Sequence, residues 1–585
     1  MPQFLQDLRQ TAAEYLAITV CDLFPNTQLL GGHCTDFGFY YDFSVEQPLD
    51  EQALLLLEER MRFFIKENIP IQPFEMMREN AANFFQHHGQ TLRAYQISEQ
   101  PENIIQLVKI GDFYDLCSPP YLNQAKGVTA FKLLKVTFHT ISFAQVGELK
   151  VTRIQGTAFP TSEDLKKFLK MNEAAKKRDH RVIGKEMNLF SAHEEIGVGS
   201  WLWHPKGARL REILLDWWRQ EHRRQRFEQL ATPQVVKAGF LKKSGIYDSP
   251  DLASGVFPSF VLDGYDYAAS PSQIPLHAWA FRLKLHSYRE LPIRYAECTQ
   301  LYNQGKESQL WGMMRARSYC ADAGNVFCAP NQVQSELISS LQFIDKTIKI
   351  FGFGYHWYLV DRGQKFAGTI DGWIKSIDWI VKAVEACGFK YEIDKMGKSF
   401  SGPRLEAYLT DSLGRSWKGP SISIDFNYSE RFGLRYQGPD DEMHMPVMIT
   451  RAMFGSLERF VAVLIEHYGG LFPVWLAPEQ VRVIPIAEKH MKYAAEVHSR
   501  IEEMGFRTSL DHSRERLGGK IHSAERERVP YAIVLGDKEE NSGLISVRSC
   551  NHEEMKSGVK LEAFLERLSQ EEVDKSLPRK SREPK

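Results

Sequence analysis

Apolar and polar positions alternate differently in successive stretches of the chain. Near the N-terminus, GFYYDF (38–43) predicts a strand, and the segment after Asp50, EQALLLLEERMRFFIKEN, has the apolar spacing of a helix. A further helix is predicted after Thr161, with Asp164 in the capping-box position, running through the basic, amphipathic LKKFLKMNEAAKKRDHRVIGKEM. Its charges read most simply as a solvated face. From about 190 to 476 the chain is rich in aromatics, with many short strand-like pieces and few clean helices. That pattern predicts a large antiparallel sheet with covering helices. From about 477 the pattern changes to VRVIPI, the amphipathic AEKHMKYAAEVHSRIEEM, FRTSLD, a second helix, YAIVLG, GLISVRS and a final helix. This alternation predicts a compact α/β domain of roughly one hundred residues. The expected α+β organisation is 1–155, a linker helix in 156–190, a large core in 191–476, a C-terminal domain in 477–575 and a polar, basic tail in 576–585.

The chain has 585 residues, too many for one hydrophobic core, and its length predicts roughly three to five domains. A formal net charge of −1 confines any nucleic-acid surface to a local patch balanced by acidic surface elsewhere. The eight cysteines (21, 34, 117, 298, 320, 328, 387 and 550) show no CxxC pair and no regular spacing. This argues against a disulfide framework or a zinc ribbon and fits a reducing cytosol. The N-terminus lacks a charged-then-apolar signal pattern, and no run reaches the roughly 18–20 apolar residues of a membrane span. The expected compartment is the cytoplasm.

A series of ordered motifs carries a family resemblance. RDHRVIGKEMNLF (178–190), WLWHPKGARLR (201–211), HSYRELPIRYAE (286–297), SGPRLEAYLTDSLGRSW (401–417) and PVMITRAMFGSLERF (446–460) resemble the catalytic core of threonyl-tRNA synthetases, class II aminoacyl-tRNA synthetases. WLAPEQVRVIPI (475–486) resembles the start of that family's anticodon-binding domain, and GFYYDF and FYDLC (113–117) its N-terminal editing domain. By this resemblance, the small ubiquitin-like domain that usually precedes the editing domain is expected to be missing. The resemblance implies an antiparallel class II core flanked by helices. It also implies an editing-like domain in 1–155, an anticodon-binding-like domain in 477–575, and a homodimer with Pro233 of motif 1 at the interface. It further implies ATP with Mg²⁺ as cofactors, with a small amino acid and tRNA as partners. The basic linker helix would then lie near tRNA phosphate.

Activating an amino acid brings a carboxylate onto the ATP α-phosphate, so the site needs fixed positive charge where the transition state gathers negative charge. By resemblance, Gly455, Glu458 and Arg459 belong to the motif that grips ATP, and Arg315 and Arg317 match the Arg pair after the motif 2 loop. The motif 2 stretch itself departs from the family. Asn303 occupies the Arg position, and Gly305 replaces the acidic residue near adenine. Lys306 is a nearby cation, but a flexible ammonium is not a guanidinium fork. One lost transition-state donor costs about 2.7–4 kcal/mol. The family's three zinc ligands, one Cys and two His, fall on Ile274, Asn325 and Thr450. Ile274 cannot ligate zinc, and the other two are poor ligands, so no zinc is expected. His277, Cys320 and Cys328 are the nearby residues that could rebuild a metal site, although packing is the simpler reading of each. Ala323, Ala321, Ser401 and Ser423 replace an Asp, a Gln, a Tyr and a Gln that line the family's substrate pocket.

The editing residues depart in the same way. HxxxH becomes Gln10 and Glu14, and CxxxH becomes Cys117 and Tyr121, so hydrolysis of mischarged tRNA is not expected. The C-terminal segment 518–543 keeps Lys520, Pro530 and Asp537, whereas Asn541 and Cys550 replace two base-reading positions. Lys520, Arg526 and Arg548 are the tRNA-contact candidates. The expected function is that of a threonyl-tRNA synthetase relative that does not charge tRNA with threonine and keeps a tRNA-binding or regulatory role. A zinc-independent ligase of changed specificity and a diverged active threonine ligase are the alternatives.

Overall fold

The computed structural model describes residues 3–35, 38–46, 49–117, 121–122, 124–143, 147–305, 309–550 and 556–577. The chain divides into two compact units, Met1–Glu173 and Ala174–Lys585.

In the N-terminal unit the helix Gln3–Leu23 buries one continuous stretch, from Leu8 to Val20. It packs on a four-stranded antiparallel sheet that includes the predicted strand, found at Gly38–Ser44, and a long hairpin, Ala130–Phe143 with Gly147–Phe159. Tyr15, Phe39, Tyr41, Phe43 and Ile154 fill the space between them. The helix predicted after Asp50 is Ala53–Glu67; Leu54, Leu57, Met61 and Ile65, at helical spacing, are its inward face. A smaller three-stranded sheet and two short helices enclose a separate core around Phe85 and Leu107.

The predicted linker helix is two helices, Ser162–Lys177 and His180–Glu186. Thr161 starts the first by accepting the Asp164 N–H. It buries no residue, as its charged composition predicts. The second has its own cap, the Asp179 side chain accepting the Arg181 N–H, and this new start is why the helical pattern does not run through 178–179.

The core of the second unit is an eight-stranded sheet. Its strand order is Glu228–Gln229, Ile293–Tyr302, Ser318–Cys328, Val447–Ala452, Ser416–Asp425, Arg404–Thr410, Gly354–Arg362, Tyr391–Ser399. Internal pairings are antiparallel and only the two edge pairings are parallel. The expectation of few clean helices is wrong. Pro205–Arg224, Val333–Ile350 and Ile370–Ala386 are long helices flanking this sheet. Their buried faces carry Trp217 and Trp218, Phe343, and Trp373 respectively, so aromatics that suggested strands serve helix packing instead.

The C-terminal part is a five-stranded mixed sheet in the order Thr508–Leu510, Val481–Pro485, Tyr531–Leu535, Ile545–Ser549, Lys556–Val559. The helices Met491–Glu503, Leu517–Arg526 and Leu561–Val573 appear where the pattern placed them. The short helix Asp537–Ser542 and the last strand were not foreseen. Of the expected basic tail, residues 578–585 lie outside the described residues.

Candidate active site

The middle strands Ile293–Tyr302, Ser318–Cys328 and Val447–Ala452 bring distant parts of the sequence into register. Asn325 lies opposite Tyr295 on one side and Thr450 on the other, Ala323 opposite Glu297, and Thr450 opposite Ser423. The register therefore sets Asn325 and Thr450, two of the three expected zinc-ligand positions, beside Ser423, an expected pocket position, on adjoining strands. The Ser423 and Thr450 hydroxyls bond each other at 2.5 Å.

Asn325 is fully buried and is held by a relay. Its Nδ2 donates to His277 Nδ1 at 2.8 Å, and His277 Nε2 meets Glu297 Oε2 at 3.1 Å. Glu297 is fixed by the Thr232 N–H and hydroxyl, each at 2.8 Å. Both His277 ring nitrogens are thus engaged, while Asn325 Oδ1 is buried without a hydrogen-bond partner. Ile274 opens the helix Ile274–Arg282 and packs among Phe281, Phe327 and Phe432. An aliphatic side chain, an amide and a hydroxyl do not fit zinc, which takes thiolate, imidazole or carboxylate. His277, Cys320 and Cys328 do not assemble a replacement: Cys320 Sγ touches Cys298 Sγ at 3.2 Å, and Cys328 Sγ faces the Val447 carbonyl at 3.7 Å.

Among the described residues, the one cluster with metal-ligand chemistry is Asp179, His180 and Glu466. It is occupied by the protein itself. His180 Nδ1 meets Glu466 Oε1 at 2.7 Å, its Nε2 accepts the Met313 N–H at 3.1 Å, and Arg415 takes the other Glu466 oxygen at 2.7 Å. The cluster ties the helix His180–Glu186 to the turn Gly312–Met314 and to the helix Leu457–Tyr468.

The motif 3 turn rests on a residue the sequence reading passed over. Asp322, fully enclosed, accepts the backbone N–H groups of Met453, Phe454 and Gly455 at 2.7, 2.9 and 2.7 Å, and the Trp218 indole N–H at 3.1 Å. Burial nevertheless pushes its carboxyl above the usual range. Gly455 adopts φ 68°, a left-handed conformation that favours glycine. Ser456 then caps the helix Leu457–Tyr468 by accepting the Arg459 N–H. Glu458 is buried and accepts the Cys320 N–H at 2.7 Å, and burial raises its carboxyl to about 7. Arg459 Nε donates to the Met314 carbonyl at 3.0 Å, and burial lowers its pKa. The adjacent Arg451 is buried between the Phe227 and Phe343 rings, 4.5 and 4.6 Å from their centroids, and burial lowers its pKa to about 9.

The motif 2 loop folds onto itself. Asn303 Oδ1 accepts the Gly305 N–H at 2.9 Å, and Arg317 donates to the Gln304 carbonyl at 2.7 Å and the Val198 carbonyl at 3.2 Å. Asn303 therefore serves the local turn, and Arg317 is a clasp on backbone carbonyls. Arg315 is exposed beside Trp311. Lys306 lies outside the described residues.

In the N-terminal unit the four expected editing positions, three of them altered and Cys117 kept, also converge. Glu14 Oε1 receives the Tyr121 hydroxyl at 3.1 Å and Gln10 Nε2 at 3.4 Å, while Glu14 Oε2 is buried without a partner. Burial first, and the charge of nearby Asp115 second, raise the Glu14 carboxyl from its ordinary 4.5 to about 8. Cys117, close enough to interact with Tyr121 and Glu14, has its thiol pKa raised by burial. Arg93, paired with Asp115 at 2.6 Å, and Cys117 line an adjoining cavity of about 510 Å³.

In the C-terminal sheet, Lys520 points inward, with Nζ on the Pro485 carbonyl at 3.2 Å. Arg526 is exposed at the last turn of its helix, and Arg548 pairs with Glu525 at 2.6 Å. The three candidates do not present one continuous cationic surface.

An antiparallel sheet carrying paired motif 2 strands and a motif 3 helix, followed by a small mixed α/β domain, defines a class II aminoacyl-tRNA synthetase architecture. The description "tRNA synthetase class II core domain (G, H, P, S and T)" matches residues 262–468, and "Anticodon binding domain" matches 480–571. The chain is 38% identical over 561 residues to the threonine–tRNA ligase of Acetivibrio thermocellus, covering 96% of this chain and 87% of that protein. It is 37% identical over 568 residues to the same enzyme of Caldanaerobacter subterraneus subsp. tengcongensis, covering 97% and 87%. The RNA-binding domain of the threonyl-tRNA synthetase of Cryptosporidium parvum Iowa II superposes with a TM-score of 0.64 at 30% identity, covering 67% of this chain and 98% of that one. The chain belongs to the threonyl-tRNA synthetase family.

Proposed function

We propose that this chain is a family member that does not charge tRNA with threonine and keeps a tRNA-binding or regulatory role as a cytoplasmic homodimer. The donor set at Ile274, Asn325 and Thr450 carries this reading, because it removes the metal that would chelate threonine. Asn303, turned onto Gly305, supports it by supplying no cation to the phosphates. The dimer reading is supported by exposed apolar residues near Pro233: Val235, Phe260, Val261, Leu262 and Tyr265 lie on one small three-stranded sheet. The three altered editing positions, Gln10, Glu14 and Tyr121, with the Glu14 carboxyl raised to about 8, support an absence of editing.

A second reading is favoured by one observation: Asn325 Oδ1 is an unpartnered buried acceptor beside two hydroxyls. A pocket of that kind suits zinc-independent activation of another small amino acid, with Arg315 and Arg459 as the residual cations for ATP and Mg²⁺. Metal analysis and tRNA binding test the first reading together. The expected result is no stoichiometric zinc after zinc-supplemented purification, with salt-dependent tRNA binding weakened by Arg526→Ala and Arg548→Ala. One zinc per chain would overturn the metal argument, and absent tRNA binding would overturn the proposed role.

A further inference from the structure

Cys298 and Cys320 stand on the two strands that lead into and out of the motif 2 loop. Cys298 lies opposite Asp322 and Cys320 opposite Gln300, so the two thiols are diagonal neighbours on one face. Their sulfurs are 3.2 Å apart, and closing by a little over 1 Å would reach the disulfide length of about 2.05 Å. Cys298 is half-buried and Cys320 buried, with Arg211 close to the latter. The pair also touches the motif 3 machinery, since the Cys320 N–H is the donor to Glu458.

We propose that Cys298 and Cys320 are a redox-modification site, closed to a disulfide by a small hydroperoxide. Either sulfur can donate in this contact; with Cys298 as the donor, the hydrogen bond lowers the pKa of the Cys320 thiol, and the same bond with burial raises that of Cys298. The Cys320 thiolate attacks one peroxide oxygen, the O–O bond breaks, and hydroxide leaves and takes a proton, giving a sulfenic acid at Cys320. The Cys298 sulfur, losing its proton, then attacks the Cys320 sulfur and displaces the sulfenic oxygen as water. Two thiols are oxidised by two electrons, hydrogen peroxide is reduced to two waters, and a thiol reductant reverses the bond. Drawing the strands together pulls on the Cys320–Glu458 hydrogen bond, so oxidation couples the motif 2 strands to the motif 3 turn.

The test is hydrogen peroxide treatment of the full chain, alkylation of remaining thiols, and trypsin digestion without reduction. The expected product is residues 295–306 linked to residues 318–346, released by dithiothreitol. The link is absent in Cys298→Ser and in Cys320→Ser, and present in Cys328→Ser, which separates Cys320 from the other cysteine of that peptide. Circular dichroism of each variant establishes that it is folded before it is scored. Peroxide treatment that leaves both thiols free, that carries either to the sulfinic acid without a link, or that links the peptides in Cys320→Ser overturns the proposal.

Discussion

Glu14→Gln gives a test with a worked magnitude. The wild-type carboxyl is raised from its ordinary 4.5 to about 8 by burial, with Asp115 adding to it. The unfolded chain therefore releases this proton near 4.5, whereas the folded chain holds it until about 8. Between those values the folded state binds more protons, so stability falls as pH rises through the window and the loss is complete above about 8. At about 1.4 kcal/mol per pH unit the loss is about 3 kcal/mol by pH 7 and up to about 5 kcal/mol at its end. Gln cannot ionise and keeps an acceptor for the Tyr121 hydroxyl. Its new N–H₂ faces the place where Glu14 Oε2 has no partner, a cost that does not vary with pH. Hydrogen exchange across residues 3–23, corrected for intrinsic rate and measured from pH 5 to 8.5, reads the unit locally without assuming that the whole chain unfolds in two states. The wild type should lose protection as pH rises, and the variant should show a markedly flatter profile. Equal slopes in the two proteins would refute the assignment of a buried, protonated Glu14.

Asp322→Ala leaves the Met453, Phe454 and Gly455 N–H groups and the Trp218 indole without their acceptor; it should cost at least about 3 kcal/mol and raise exchange across 453–459. Stability unchanged in urea denaturation would contradict that role. Gly207→Ala puts a Cβ 1.9 Å from the Leu189 carbonyl oxygen, so the helix Pro205–Arg224 must shift; a loss of about 1–3 kcal/mol or more is expected in thermal melting. Arg317→Ala releases the carbonyls of Val198 and Gln304 and, at roughly 1 kcal/mol, should speed limited proteolysis between 303 and 317 about fivefold.

The ordered motifs made the sheet strands, the C-terminal domain and the family legible, because each combines local periodicity with fixed chemistry. They also pointed to Asn325, Thr450 and Ser423 as altered pocket positions, and the strand register sets these three on adjoining strands. The long helices of the core were hidden because Trp217, Trp218 and Trp373 satisfy a strand-like aromatic composition as readily as a helix face. The break at Asp179 was hidden because a side-chain cap inside a basic amphipathic run leaves the periodicity almost intact. Asp322 and His180 were missed for another reason. Their partners are backbone groups and side chains more than one hundred residues away, which no local spacing reveals. The Glu297–His277–Asn325 relay is likewise a product of strand register, although His277 was marked as lying near the altered metal position. Lys520 keeps the family's residue type while its ammonium turns inward, so identity alone did not fix its exposure.

The most direct measurement is threonine-dependent ATP–pyrophosphate exchange by the purified full chain with Mg²⁺ and added zinc. The account predicts no exchange above the no-amino-acid control, because Asn303 supplies no phosphate cation and Ile274, Asn325 and Thr450 supply no zinc-ligand set. Robust threonine-dependent exchange accompanied by one bound zinc per chain would contradict it.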